Sequence, residues 1–373
     1  MKYRRFGKTD RALSIFSLGT MRFASAAVAC EVVGAAIAQG INHIETAPAY
    51  GASERYIGAA IKALSLPREQ FVLTTKLTPK LQANEIAPAI AQSLDHLGVD
   101  YIDCLAIHGI NTPAHLKQVE NEMLEGLAQA IASGKIRHLG FSTHGSLDLI
   151  LQTLATRAFS FINLHYNYFF QRNAPAVAEA HQQDMGIFII SPADKAGLLY
   201  APPERLKALC APFDPLLLNY RWLLSDPRIT TLSVGPAVPA ELAWPLQGAN
   251  ADGALTEAEK SAITRLDRMQ TETLNTDFCA QCHQCLPCPE TINIPEVLRL
   301  RNVTVAYDMS AYGQYRYGMF ENAGHWFPGR KGNRCTDCGD CLPRCPQQLN
   351  IPDLLRDTHQ RLKGKQRRRL WET

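Results

Sequence analysis

FVLTTKL (Phe71–Leu77), YIDCLAIH (Tyr101–His108) and IRHLGFST (Ile136–Thr143) are three apolar runs separated by the amphipathic stretches Asn84–Leu97 and Asn121–Ser133. Runs of this kind predict strands buried on both faces of a parallel sheet. The stretches between them predict helices that cross from one strand to the next, and Gly134 suits a helix stop. The same alternation extends outward in both directions. Before it come SIFSLGT (Ser14–Thr20) with Ala27–Gln39, and HIETA (His43–Ala47) with Ser53–Leu64, where Ser53 suits an N-cap and Glu54 the first turn. After it come Leu147–Thr156, FINLHYN (Phe161–Asn167) with Ala174–Asp184, and GIFIIS (Gly186–Ser191) with a Pro-rich connection and a helix around Leu216–Leu224. TTLSVG (Thr230–Gly235) and Pro239–Leu246 complete the series. Eight consecutive strand–helix units over roughly 240 residues predict a (β/α)8 barrel rather than an open doubly wound sheet. No GxGxxG follows the first strand, which argues against a Rossmann arrangement. Thr256–Met269, with Glu257 and Glu259 at its start, predicts a last helix on the outside of the barrel. The expected organisation is a barrel over residues 1–270 and a second domain over 271–373, with the break near Thr271–Asp277.

The 373 residues are 46% hydrophobic and 20% charged, enough to bury a core of ordinary size and too apolar for a disordered chain. A net charge of +3 gives no argument for nucleic acid or a membrane surface as partner. MKYRRFGKTD at the N-terminus has no apolar stretch of a secretory signal behind it. The nearest approach to a membrane span, Ala24–Ile41, contains Glu31, Gly34 and Gln39. The expected location is therefore the cytoplasm, where thiols stay reduced. Of 11 cysteines, Cys30, Cys104 and Cys210 are scattered, and the other eight fall between Cys279 and Cys345. In a reducing compartment such a cluster predicts metal ligation rather than disulfides.

The cysteine region repeats itself. CPETINIPEVLR (Cys288–Arg299) aligns with CPQQLNIPDLLR (Cys345–Arg356) at an offset of 57 residues. Pro295 and Pro352, each followed by an acidic residue, suit the first turn of a short helix in each half. Upstream, Cys335, Cys338, Cys341 and Cys345-Pro346 follow the C-x2-C-x2-C-x3-C-P run of bacterial ferredoxins. Cys279, Cys282, Cys285 and Cys288-Pro289 follow the same run with x2 before the last cysteine. Three closely spaced thiolates wrap one corner of a cubane, whereas zinc sites use C-x2-C pairs separated by a longer loop. Eight thiolates therefore predict two [4Fe–4S] clusters. By the ferredoxin rule that the fourth cysteine ligates the other cluster, Cys279, Cys282, Cys285 and Cys345 share one. Cys335, Cys338, Cys341 and Cys288 share the other. The helical flanks make residues 279–355 resemble the alpha-helical ferredoxin type found in fumarate reductase iron–sulfur subunits.

In a barrel of this kind the chemistry sits at the C-terminal ends of the strands. Glu45 ends the second predicted strand, Tyr50 lies in the loop after it, Lys76 ends the third and His108 the fourth. A phenol beside an ammonium is more acidic, and can give its proton to a carbonyl oxygen that is receiving hydride. His108 suits orienting that oxygen, and Glu45 suits holding Lys76. His144 and His165 also lie near the rim ends of strands; His165, flanked by Tyr166 and Tyr168, reads as a packing histidine rather than a substrate contact, and Cys104 reads as core.

At these residues the chain resembles the aldo-keto reductase family of TIM-barrel oxidoreductases. The matching pieces are LGTM (Leu18–Met21), IETAPAYGASERYIG (Ile44–Gly58), TTKL (Thr74–Leu77), LAIHG (Leu105–Gly109), GFST (Gly140–Thr143) and LSVG…P (Leu232–Pro239), in order, over roughly residues 3–265. The resemblance implies Tyr50 as general acid, Lys76 as its tuner, His108 as orienter and Glu45, where the family usually has Asp, as the partner of Lys76. It implies a cofactor, NAD(P)H, with Ser142, Thr143 and Asn163 at the carboxamide and Gly235 at the start of the phosphate-binding segment. Two positions depart from the family: Ile190 stands for the aromatic that stacks on the nicotinamide, and Glu241 falls near an Arg that grips the adenosine 2′-phosphate. The implied substrate is a small carbonyl compound or alcohol. The alternative is an electron-transfer protein whose barrel is a docking scaffold or binds something other than nicotinamide. No flavin signature is visible. A redox partner protein is a further possibility, for which the basic tail with Lys363, Lys365 and Arg367–Arg369 would suit an acidic surface.

Overall fold

The computed structural model describes residues 1–365; the basic run Arg367–Arg369 lies outside them. The chain divides into two compact units, Met1–Lys195 with Asn219–Ala254, and Ala196–Leu218 with Leu255–Thr373.

The first unit opens with a hairpin, β1 (Tyr3–Arg5) and β2 (Ala12–Ser14), paired antiparallel. Eight parallel strands follow: β3 (Phe16–Gly19), β4 (His43–Glu45), β5 (Val72–Leu77), β6 (Ile102–Ile107), β7 (Ile136–Ser142), β8 (Phe161–Leu164), β9 (Gly186–Ile189) and β10 (Thr231–Val234). They close in sequence order, β10 pairing with β3, as the (β/α)8 barrel expected from the sequence. β4, β5, β6, β8 and β9 are buried along their whole length, which is why they read as largely apolar runs. One core cluster joins Phe6, Leu13, Val72, Cys104, Ala106, Phe161 and Phe188. Burying each of its aromatic side chains stabilises the fold by about 1.5–3 kcal/mol. A polar chain also lies inside the barrel: His43 sits 2.6 Å from Ser17 Oγ and 2.7 Å from Thr74 Oγ1, and Ser17 Oγ is 2.7 Å from Thr231 Oγ1. Burial, reinforced by the charge of Lys76, lowers the pKa of His43 to about 3, so this histidine is neutral.

The connecting helices are α1 (Ala26–Ala38), α2 (Ser53–Ala63), α3 (Ala83–Leu97), α4 (Pro113–Gln118), α5 (Leu124–Ala132), α6 (Leu147–Ala155) and α7 (Ala174–Gln182). A π turn, Val119–Met123, joins α4 to α5. Gly134, just beyond α5, has φ +73°, the left-handed conformation that ends helices. Two local expectations are corrected. Ser53 is not an N-cap: Ala52 holds that place, and the Ser53 hydroxyl is drawn inward to Thr46 and Thr20. The helix expected over 239–246 is a pair of 3-10 turns, each with a proline in its first turn, Pro239 and Pro245.

The second unit contains α8 (Glu204–Cys210), and α9 (Pro215–Leu224) has residues in both units. α10 (Glu257–Leu274) is capped by a reciprocal pair, Thr256 and Glu259. Expected as an outer barrel helix, α10 groups with the second unit and packs on α8. It also packs on α11 (Ile294–Tyr307), where Tyr307 donates to Leu266 O at 3.1 Å. α12 (Ser310–Tyr317) and α13 (Ile351–Leu362) pack on α11 as well. α11 is nearly all buried, and its Arg299 is neutralised within the core by Glu296 at 2.7 Å and bonded to Tyr312 at 3.1 Å. Pro295 and Pro352 occupy the first turns of α11 and α13, as the repeat predicts. Among the described residues no helix is long and apolar enough to cross a membrane.

Candidate active site and cluster sites

Three consecutive barrel strands and the turn after the first of them bring the expected quartet to one place. Glu45 is the last residue of β4, and Tyr50 ends a short 3-10 turn, Pro48–Tyr50, that follows it. Lys76 lies near the end of β5, in register with Ala106 of β6, and His108 comes just after β6, its N–H bonded to Leu77 O at 2.6 Å. Lys76 Nζ donates to Tyr50 Oη at 3.1 Å and to Thr46 O at 2.9 Å, and forms an ion pair with Glu45. Burial pulls the Lys76 ammonium well below the ordinary lysine pKa. The ring of His108 meets Tyr50 edge-on, with 5.7 Å between centroids. Lys76 and Glu45 are buried, whereas Tyr50 and His108 are half-buried. The phenol is thus the exposed end of a buried charged pair, the arrangement expected of a proton donor.

The residues matched to the nicotinamide carboxamide divide. Ser142 Oγ accepts from Gly109 N at 2.9 Å, and Thr143 Oγ1 donates to Ile110 O at 2.8 Å and accepts from Gly145 N at 3.0 Å, so both hydroxyls serve their own loops. Asn163, on β8 opposite Ser142, is fully buried, and neither its Oδ1 nor its Nδ2 has a hydrogen-bond partner. A buried amide left so costs about 1–3 kcal/mol per group, and it matches the paired donor and acceptor of a carboxamide. The site therefore fits a nicotinamide through Asn163.

Gly235 follows β10, and its carbonyl accepts from Arg22 Nη1 at 3.0 Å. Arg22 also pairs with Glu241 at 2.6 Å, and Glu241 accepts from Ala237 N at 2.9 Å. Burial would raise the pKa of Glu241, but the Ala237 N–H and the Arg22 guanidinium hold it below the usual carboxylate range. An Arg22–Glu241 ion pair thus sits on the segment matched to cofactor phosphates. Sequence reading missed Arg22, since a contact spanning more than two hundred residues leaves no local signal. It also missed the anchoring of Glu54, which is buried and accepts from Thr75 at 2.6 Å. His165, read as a packing group, bonds Ile190 O at 3.1 Å and lies 3.1 Å from His144 and 3.0 Å from Lys195 Nζ.

In the second unit all eight clustered cysteines are free thiols. Cys288, Cys335, Cys338 and Cys341 line one pocket, together with Ile292, Leu355 and Arg344. Among the described residues no three metal-binding side chains converge as they would on a single ion. Four thiols lining one pocket fit the four-thiolate ligand set of an iron–sulfur cluster. The other four cysteines lie close enough to influence one another, and Cys285 also feels Cys341 of that pocket. Burial, and then the charges of Cys282 and Cys345, push the Cys279 thiol up to about 11. Burial and the charges of Cys279, Cys282 and Cys341 push Cys285 up to about 12.

Residues 16–201 match the model of the aldo/keto reductase family. An aldo-keto reductase of Mycobacterium avium is 30% identical over 238 residues, which cover 62% of this chain and 80% of the relative. The chain belongs to the aldo/keto reductase family. A second aldo-keto reductase, from Mycolicibacterium paratuberculosis, is 32% identical over 213 residues, 56% of this chain and 72% of that protein. An aldo-keto reductase structure from Bacillus halodurans in its holo form superposes with a TM-score of 0.62, over 71% of this chain and 96% of that one. At 22% identity this likeness is one of fold. Residues 278–349 match a 4Fe-4S dicluster domain. This aldo/keto reductase is therefore an oxidoreductase that carries an iron–sulfur module.

Proposed function

We propose that the chain interconverts a small carbonyl compound and its alcohol by NAD(P)H-linked hydride transfer at the barrel rim, and that its eight clustered cysteines hold two [4Fe–4S] clusters. Residues 1–270 carry the first task and residues 271–373 the second. The observation that carries this reading is the 3.1 Å bond from Lys76 Nζ to Tyr50 Oη, backed by Glu45 and faced by His108. A docking scaffold has no need of a buried lysine aimed at a phenol.

A bound nicotinamide supplies the hydride. Tyr50 Oη gives its proton to the carbonyl oxygen, and the Lys76 ammonium stabilises the phenolate left behind. Glu45 keeps Lys76 in place, and His108 orients the oxygen. Asn163 holds the carboxamide through its two unpartnered atoms. Clusters bound by the cysteines exchange electrons singly, which suits a separate redox partner protein.

The lowered pKa of Lys76 sets a pH dependence. Raising the pH strips its proton below the ordinary lysine value of ~10.4, and the support for phenolate is lost with it. Carbonyl reduction should therefore show an alkaline limb in kcat/KM below ~10.4. A limb at or above that value would remove Lys76 from the proton path.

Glu241 engages Arg22 in an ion pair, which keeps that guanidinium from an adenosine 2′-phosphate, so NADH should bind more tightly than NADPH. Anaerobic titration with each nucleotide tests both halves of the reading. We expect Glu241→Gln to narrow the difference by about tenfold, or ~1.4 kcal/mol. Bleaching of cluster absorption by NADH would couple the clusters to the barrel chemistry; failure of either nucleotide to bind would sink the hydride-transfer reading.

A further inference from the structure

The two cysteine runs differ by one residue. Between the third and fourth cysteines the first run reads Cys285-Leu286-Pro287-Cys288, and the second reads Cys341-Leu342-Pro343-Arg344-Cys345. Leu-Pro is common to both, so the extra residue of the second run is Arg344. Its side chain crosses between the runs. Nη2 donates to Pro287 O at 2.9 Å, and Nε donates to Asp340 O at 2.8 Å. Pro287 immediately precedes Cys288, and Asp340 immediately precedes Cys341. Arg344 also lines the pocket ringed by Cys288, Cys335, Cys338 and Cys341.

We propose that Arg344 is a positioning residue for one cluster: it holds the Cys288 end of the short run against the Cys341 loop, and it places a positive charge in the pocket of that cluster. The inference rests on reading these four cysteines as one ligand set. A planar guanidinium has donors in a fixed fork and can bridge two carbonyls at once, which an ammonium on a flexible stem does poorly. Its placement answers the missing residue of the first run. Cys288 has one residue fewer with which to approach the pocket, and the inserted residue of the other run secures the peptide beside it. Two acidic residues, Glu290 and Asp340, line the same pocket, and Glu290 has its own partner in Arg330 at 3.7 Å. Removing Arg344 therefore leaves the pocket more negative. A reduced cluster carries one more negative charge than an oxidised one, so a nearby cation favours reduction and raises the potential. The first run has no residue at the corresponding place.

The test uses the full chain, reconstituted anaerobically, as wild type, Arg344→Gln and Arg344→Lys. Three quantities are read: iron per chain, the rate of iron loss to a chelator, and the reduction steps followed at an electrode. In Arg344→Gln, part of the iron should be lost at least tenfold faster, and one reduction step should move to lower potential by more than the other. Arg344→Lys should keep the wild-type potentials, because the charge remains, yet lose iron faster, because the bridge is gone. Wild-type iron retention and unchanged potentials in Arg344→Gln overturn the proposal, as does an equal shift of both steps. A wild-type chain that binds iron for only one cluster overturns the ligand-set reading along with it. Loss of carbonyl turnover with iron retained speaks to the barrel chemistry and separates the two failures.

Discussion

Tyr50→Phe is expected to lower carbonyl reduction by ~10²–10⁴-fold, the usual contribution of a positioned general acid, while the iron content stays at the wild-type level. The substitution removes one oxygen atom and keeps the ring that meets His108 edge-on. Its effect therefore reads out the proton rather than the packing. Lys76 would remain paired with Glu45 and bonded to Thr46 O, so its buried charge would not be orphaned. Nucleotide binding should survive, because Asn163 and the Gly235 segment lie on other strands. Steady-state rates with a panel of small aldehydes, together with iron analysis, check the prediction. Turnover equal to wild type would take Tyr50 out of the mechanism.

Cys338→Ser is expected to have an equally large effect on the other half of the molecule. An intact chain should carry about eight irons and absorb broadly near ~400 nm, and the variant should retain about four. Cys338 is exposed, and it lines the pocket with Cys288, Cys335 and Cys341. Its loss therefore removes a ligand without opening a cavity in the core. Iron analysis of anaerobically purified protein decides the matter. Iron equal to wild type would remove Cys338 from the ligand set.

The barrel was legible because its strands are buried on both faces. Runs such as Tyr101–His108 are mostly apolar, with Asp103 paired to Arg68, and the observed β6 falls within that run. The first hairpin was not legible, because Tyr3–Arg5 is charged and largely exposed and carries no apolar pattern. The eighth helix was misread because a run with suitable apolar content was cut by Pro239 and Pro245. Tyr50, Lys76, His108 and Glu45 could be found because each follows or ends a recognisable strand. Asn163 could be named, but not its unpartnered state, which depends on what surrounds it. The Arg22–Glu241 pair and the Arg344 bridge join residues far apart in the chain, and no local pattern records such contacts. The cysteine runs were the plainest signal, since ligand spacing is written directly in the sequence. The ferredoxin rule also groups Cys288 with Cys335, Cys338 and Cys341, and these four line one pocket.

That grouping has a consequence for biosynthesis. Cys288 shares a pocket with Cys335, Cys338 and Cys341, and the ferredoxin rule assigns Cys345 to the set of Cys279, Cys282 and Cys285. On the proposed ligand sets each run lends its last thiol to the other, so neither half can be loaded alone as the nascent chain leaves the ribosome. The set begun first, at Cys279, is finished last, at Cys345. Its three early thiols must wait, reduced and unmetallated, while the complete second run is synthesised. Iron insertion is then a late event, and a chain stalled between Cys341 and Cys345 would complete the pocket around Cys338 while leaving the earlier set one ligand short.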